Sequence, residues 1–336
     1  LWIWSCAAQA HDFRYRYISI NKARLPAGVS EFFPYALTDS GRVYGNAFND
    51  SGEIFVAVYA NGTVTVLQPG SVSTANNRGT AGGSVLDPLT GYSKAALFQG
   101  TKVKIIPYLG VPTNEYVVSV NDSNAALVSS NDPLNQGRTT YRLYKNGRTT
   151  FQFQIPNGSD CPCWEVNNAG IVVGTIYDES QQGFRAIRFR PPYYEAEVLD
   201  PVRGDVDATS SAINGSGHVL GLSNSIFVNP SSNHYGIWDR QGRFRTYFQG
   251  EVFYESRFND AQLIVLTGNL DTDLNSYIIP RPGIRLNVKN LITNQSSTEA
   301  PLSYVADINN HGDMIGQGYC VEPPCSNFLL RREREE

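Results

Sequence analysis

Proton transfer and metal binding at neutral pH draw first on histidine, and this chain has four: His11, His218, His234 and His311. No two of them stand at a metal-ligand spacing, and none sits beside a cysteine pair. The sequence holds no Gly-x-Ser-x-Gly elbow, no His-Glu-x-x-His and no phosphate-binding loop. Asp271-Thr-Asp273 brings two carboxylates together, too few for calcium without carbonyl partners. No residue set here points to a cofactor or a resident metal. Arg203-Gly204-Asp205 spells an adhesive tripeptide that chance also produces, and it carries no weight. What remains is a scatter of carboxylates and aromatic rings. The elements that gather them decide what they can do.

Those elements are written as a repeat. Leu37-Thr-Asp-Ser-Gly-Arg-Val-Tyr-Gly45, Val166-Asn-Asn-Ala-Gly-Ile-Val-Val-Gly174, Ile213-Asn-Gly-Ser-Gly-His-Val-Leu-Gly221 and Ile308-Asn-Asn-His-Gly-Asp-Met-Ile-Gly316 share one pattern. Ala75 to Gly83 is a further copy, and Val120 to Val128 and Phe258 to Leu266 are worn ones. Successive starts lie 38, 45, 46, 47, 45 and 50 residues apart, the size of a propeller blade. Within a period, Asn or Asp and Gly make a tight turn between two strands. Phe55 to Tyr59 read as a third strand, Asn61-Gly62 as a hairpin turn and Thr63 to Leu67 as a fourth strand. Tyr59, Phe98, Tyr144, Phe189 and Trp238 recur at the third strand's end, where blade-to-blade packing explains them.

The seventh period stops after its third strand, Asn327 to Arg332. Phe13 to Ile20 is an unclaimed alternating strand that can complete it. The expected fold is therefore all-β: a seven-bladed β-propeller of four-stranded antiparallel blades, closed by the N-terminal strand. Pairing the two ends of the chain in one blade leaves no exposed sheet edge.

The composition agrees. Of 336 residues only 17% are charged and 12% are aromatic, and the net charge is −4. That balance argues against nucleic acid, which selects a basic face. No segment reaches the ~18 apolar residues of a membrane helix, so no membrane span is expected. Residues 1–10 end in Ala8-Gln9-Ala10 and read as the remnant of a secretion signal. Residues 11–336 then form one domain, expected as a monomer. Cys320 and Cys325 flank a short loop and are expected to form a disulfide; Cys161 and Cys163 form a tighter local pair.

The Ile-Asn-x-x-Gly-x-Val-x-Gly line, followed by Asn233-His-Tyr-Gly-Ile-Trp238, resembles the extracellular HAF repeat proteins of bacteria. The resemblance spans roughly residues 36 to 332, and is strongest in repeats one, four, five and seven. It implies an exported protein, secreted or periplasmic, and no catalytic residues.

Function is expected on one face. The two tight turns of each antiparallel blade lie on the same side, so the inter-blade loops and those between second and third strands lie on the other. Asn21 to Tyr35, Asp200 to Ser211 and Leu222 to Ser232 read as long loops of that face. It is rich in acids, among them Glu115, Asp205, Asp207 and Glu255, and in aromatics. Variable loops on a rigid scaffold are where binding usually resides. The candidate ligand contacts are Phe32, Tyr35, Asp87, Tyr116, Asp132, Asp178 and Asp271, for a glycan, a peptide or an envelope protein. The alternative is a glycan-active lyase or hydrolase using acids of the same face.

Overall fold

The computed structural model describes residues 13–110, 112–131, 138–156, 164–225, 229–250, 253, 255–268, 275–294, 302–318 and 327–333. Seven four-stranded antiparallel sheets form the ring. Six follow chain order, as in Glu31–Leu37, Val43–Phe48, Ile54–Ala60 and Thr63–Pro69 of the first blade. The seventh joins Leu302–Ile308, Met314–Gly318 and Asn327–Glu333 to Arg14–Ser19. The closing pair runs from Arg14 opposite Glu333 to Ser19 opposite Phe328. Tyr15 and Tyr17 point into the core while Arg14 and Arg16 stay outside. Burying such rings contributes about 1.5–3 kcal/mol each, which makes the closure an energetic element and not a loose tail.

Aromatic residues fill the gaps between blades. Tyr141 and Phe153 of the third blade pack on Trp164 and Phe189 of the fourth, with centroids 4.6–6.2 Å apart in the contacts made by Trp164. Tyr59, Phe98, Tyr144, Phe189 and Trp238 are all buried, as blade packing requires.

The repeat's two glycines have different duties. The turn residue adopts φ from +74° to +84° in the five regular copies, and Asn124 and Gln262 adopt +58° and +60° in the worn ones. The second glycine makes room instead. A Cβ at Gly221 would lie 2.0 Å from the Thr209 carbonyl oxygen, beside the bulge at Ser210/Ala212 in the innermost strand. In the sixth blade Leu266 takes that place and the innermost strand pairs without a bulge, whereas in the third Val128 takes it and the bulge at Val117/Ser119 remains.

The repeat's asparagine does more than shape its turn. Asn167 accepts from its own turn through Oδ1 (Ala169 N and Ile171 N, both 3.0 Å). Its Nδ2 donates to the Asn214 carbonyl of the next blade at 3.0 Å. Asn76, Asn121, Asn259 and Asn309 make the same inter-blade bond at 2.8–3.1 Å, Asn309 across the ring closure to Thr38. Only a carboxamide offers donor and acceptor on one short planar group. A second belt lies beside it. The backbone N–H of Asp39 reaches Asn77, that of Asn77 reaches Asp122, and that of Asp122 reaches Asn168. Gly215, Asp260 and Asn310 continue it to Asp39. The tight-turn mouth is thus a hydrogen-bonded collar.

Several stretches expected as loops are strand. Asn21 to Tyr35 contains most of the innermost strand Glu31–Leu37, Asp200 to Ser211 contains the start of Asp207–Ile213, and Leu222 to Ser232 lies mostly within Val219–Ser225 and Asn229–Trp238. In the first two stretches the strands are innermost ones, which border the central channel and carry a surface-like composition, whereas the third belongs to the second and third strands of its blade. No described helix is long and apolar enough to cross a membrane.

Candidate functional site

The innermost strands enclose a central cavity of about 800 Å³. A smaller space of about 200 Å³ lies within the collar, and Ala75, Val120, Phe258 and Asp307 border both. The two form one channel, wide toward the long-loop face and narrow at the collar.

One residue in each innermost strand, two before the turn asparagine or its equivalent, borders the cavity just below the collar. Around the ring these are Ala36, Thr74, Ser119, Glu165, Ala212, Arg257 and Asp307. Charge is confined to three of the seven. Glu255, one strand turn earlier in the sixth blade, adds a fourth charged group. Arg257 pairs with Glu255, whose other oxygen accepts the Tyr304 hydroxyl. Asp307 accepts the backbone N–H of Leu37 in the first blade and of Ile308, both at 2.8 Å. Glu165 Oε2 accepts Ile213 N of the fifth blade at 3.0 Å. Among the described residues no donor reaches Glu165 Oε1.

These groups line an open channel yet are surrounded by protein, and burial governs their ionisation. It pushes the Glu165 carboxyl up to about 7 and Asp307 to about 6, against the pull of Arg257. Glu255 is raised for the same reason. Burial opposes the Arg257 charge, but Glu255, Glu165 and Asp307 outweigh it and hold the guanidinium above its usual range. Glu165 therefore binds its proton more tightly folded than unfolded. Its stabilising share is complete below its unfolded value of 4.5 and is lost as pH climbs toward 7. Two carboxyl groups that titrate near neutrality beside a fixed cation can bind a cation or exchange a proton.

Of the residues expected as contacts, Tyr35 and Tyr116 line the cavity, at 44% and 36% exposure. They do so from innermost strands and not from loops. Phe32 is buried among Val43, Tyr59 and Leu329 and cannot meet a ligand. Asp87 pairs with Lys94 at 2.7 Å and accepts Leu89 N and the Thr90 hydroxyl, so it holds a turn. The bond from Lys94 keeps its carboxyl below the usual range. Asp178 does similar work for Ser180. Asp132, Asp271, Cys320 and Cys325 lie outside the described residues. The acids expected on the loop face are largely engaged. Glu115 is fully buried against Arg142, Asp205 holds Ser223 and His234, and Asp207 accepts Phe184 N at 2.7 Å. An engaged Asp205 also removes the adhesive tripeptide's carboxylate from presentation.

Glu165, Arg257 and Asp307 were not among the expected contacts. The signal that finds them is the repeat column two places before the asparagine, where small residues give way to charges in three blades.

No family model matches this chain, and no curated protein does. Solved structures share its fold. The β-propeller domain of the Trilobed protease from Pyrococcus furiosus gives a TM-score of 0.60 at 9% identity, covering 90% of this chain and 97% of that one. An oligogalacturonate lyase in complex with manganese gives 0.60 at 11% identity, covering 96% of each. The Pyrococcus horikoshii acylaminoacyl peptidase gives 0.59 at 11% identity, covering 92% of this chain and 52% of that one. The Trilobed propeller is described as having an open velcro topology, whereas here the chain ends pair through Arg14–Ser19. At such identities the likeness is one of fold.

Proposed function

We propose that this protein is a binding module whose ligand enters the channel from the long-loop face and rests on the layer of Glu165, Arg257 and Asp307. The observation that carries this reading is a deviation from the repeat. Glu165 and Asp307 stand where other blades have Ala, Thr or Ser and weaken the fold at neutral pH, because burial disfavours their ionised forms. Groups kept at such a cost are candidates for function. Tyr35 and Tyr116 give the same cavity aromatic faces on which a sugar or peptide can stack. The ligand classes are those suggested by the sequence: a glycan, a peptide or an envelope protein. The HAF-like repeats favour export, and the Cys320–Cys325 disulfide belongs to that reading. Finding both thiols free in unreduced, secreted protein would remove it.

The test is a glycan and peptide array on purified protein, followed by Tyr35→Ala/Tyr116→Ala and Glu165→Gln/Asp307→Asn. Either pair should weaken an array ligand about tenfold or more, as stacking and charged hydrogen bonds are lost. Affinity unchanged by both pairs but lost in Asp122→Ala would move the site to the collar.

A second reading is supported by Glu165 and Glu255, two carboxyl groups with raised proton affinity in one cavity. A near-neutral carboxyl is suited to general acid or base work on a glycan. Turnover of array oligosaccharides, abolished in Glu165→Gln, would favour it over simple binding.

A further inference from the structure

Resting on the channel-binding reading, we infer that the floor selects ligands bearing a primary ammonium group. The charge inventory is one-sided. Glu165, Glu255 and Asp307 line the cavity, and Arg257 is the single basic residue among the described residues that do so. That guanidinium is already taken by Glu255, so it is a poor reader of an incoming anion. Both Asp307 oxygens and both Glu255 oxygens have donors. Glu165 Oε1 has none among the described residues, and it belongs to the one carboxyl here that neither pairs with Arg257 nor accepts on both oxygens.

The floor therefore lacks a donor, and a positively charged one best offsets the uncompensated carboxylate. The wall holds further unused polar groups. Among the described residues the Ser210 hydroxyl, at 2% exposure, has no partner, nor has the indole N–H of Trp164, at 1%. Tyr35 and Tyr116 offer ring faces to a cation or to the C–H face of a sugar. An ammonium can satisfy Glu165 Oε1 and, through its remaining hydrogens, channel water or a hydroxyl. Acetylation of that amine would remove the charge and leave the carboxylate uncompensated.

The shared chemistry can come from an amino sugar or from lysine, and calorimetry on the full chain separates them. The probes are a glucosamine trimer, a lysine trimer, an N-acetylglucosamine trimer and a galacturonate trimer, at pH 7, where an amino sugar still carries part of its charge and lysine all of it. At least one free-amine trimer should bind, at least about tenfold tighter than the acetylated one, and Glu165→Gln should remove that margin. Glu165→Ala, which places there the residue that the first and fifth blades carry, provides the same test should the first variant express poorly. Equal affinity for free and acetylated amines, or an amine preference intact in both variants, overturns the inference. Preference for galacturonate makes Arg257 the reader and overturns it while leaving channel binding standing. Absence of heat with all four probes refutes the ammonium claim. Channel binding itself falls only if array ligands are also insensitive to the channel variants.

Discussion

The collar and the floor of the channel lie next to each other and are built on opposite principles. The collar repeats. Asn76, Asn121, Asn167, Asn259 and Asn309 each join two blades with one side chain, and the neighbouring residues form a second belt. Nearly every polar group there is answered by another. The floor does not repeat. Its charges come from three blades, and one carboxylate oxygen is left open to the channel. Satisfied, repeated polar groups hold a ring together; unrepeated and unsatisfied ones are what a ligand can use.

The largest expected effect tests the collar. Asn167→Ala removes three hydrogen bonds at once, leaves the Ala169 and Ile171 N–H groups without their acceptor and strips the Asn214 carbonyl of its inter-blade donor, so that it keeps Gly217 N alone. A loss of about 2–4 kcal/mol is expected. Asn214→Ala is the internal control. Its Oδ1 serves Ser216 and His218, but its Nδ2 has no partner among the described residues, so no inter-blade bond seen there is lost. Denaturant unfolding should place it about 1 kcal/mol milder than Asn167→Ala. Equal losses would mean that the asparagines act only within their own turns.

The floor should answer with the opposite sign. Glu165→Gln keeps an acceptor for Ile213 N and deletes a charge that burial disfavours. The proton that Glu165 holds up to about 7 is no longer needed, so the variant gains where the wild type must ionise. Melting curves should show a gain of roughly 1–2 kcal/mol at pH 8, allowing for screening by channel water, and none at pH 4. Destabilisation at pH 8 would mean that the Glu165 charge holds the ring, and the contrast with the collar would collapse.

Much of the frame was legible because it repeats. A 45-residue period, two turn types and an orphan strand are enough to place seven blades and their closure. The second function of Asn167 was not legible, since a turn asparagine looks the same whether or not its amide meets a neighbour. Phe32, Tyr35 and Tyr116 read as loop residues because innermost strands mix core side chains such as Phe32 with channel-facing ones such as Tyr35 and Tyr116. Glu165 and Arg257 were passed over for a related reason: a single charge in a strand looks like any solvated residue until seven columns are aligned. Asp87 and Asp178 misled in the other direction, as exposed turns need carboxylates for their own N–H groups.

The smallest effect concerns the gap in the second belt. Six blades place Asp39, Asn77, Asp122, Asn168, Asp260 or Asn310 at one position, and the fifth blade has Gly215. Without a side chain there, the Asn168 N–H has no counterpart to the bonds that the Asp39, Asn77 and Asp122 N–H groups donate to the next blade. Gly215→Asn would supply the missing oxygen and lower the entropy of the unfolded chain. Against this, the new Cβ would lie 2.9 Å from Asp260 Oδ1, the atom that now accepts Gly215 N at 2.6 Å. That oxygen ends a side chain on the exposed rim, so a small rotation can relieve the contact. A net gain of about 0.5–1 kcal/mol is expected in thermal unfolding, with affinity for any channel ligand unchanged. A loss of stability would show that Asp260 cannot move and that the gap is required by the collar's own geometry. A gain in stability with loss of binding would instead make the gap part of the ligand's path, and the collar would join the floor as a working surface.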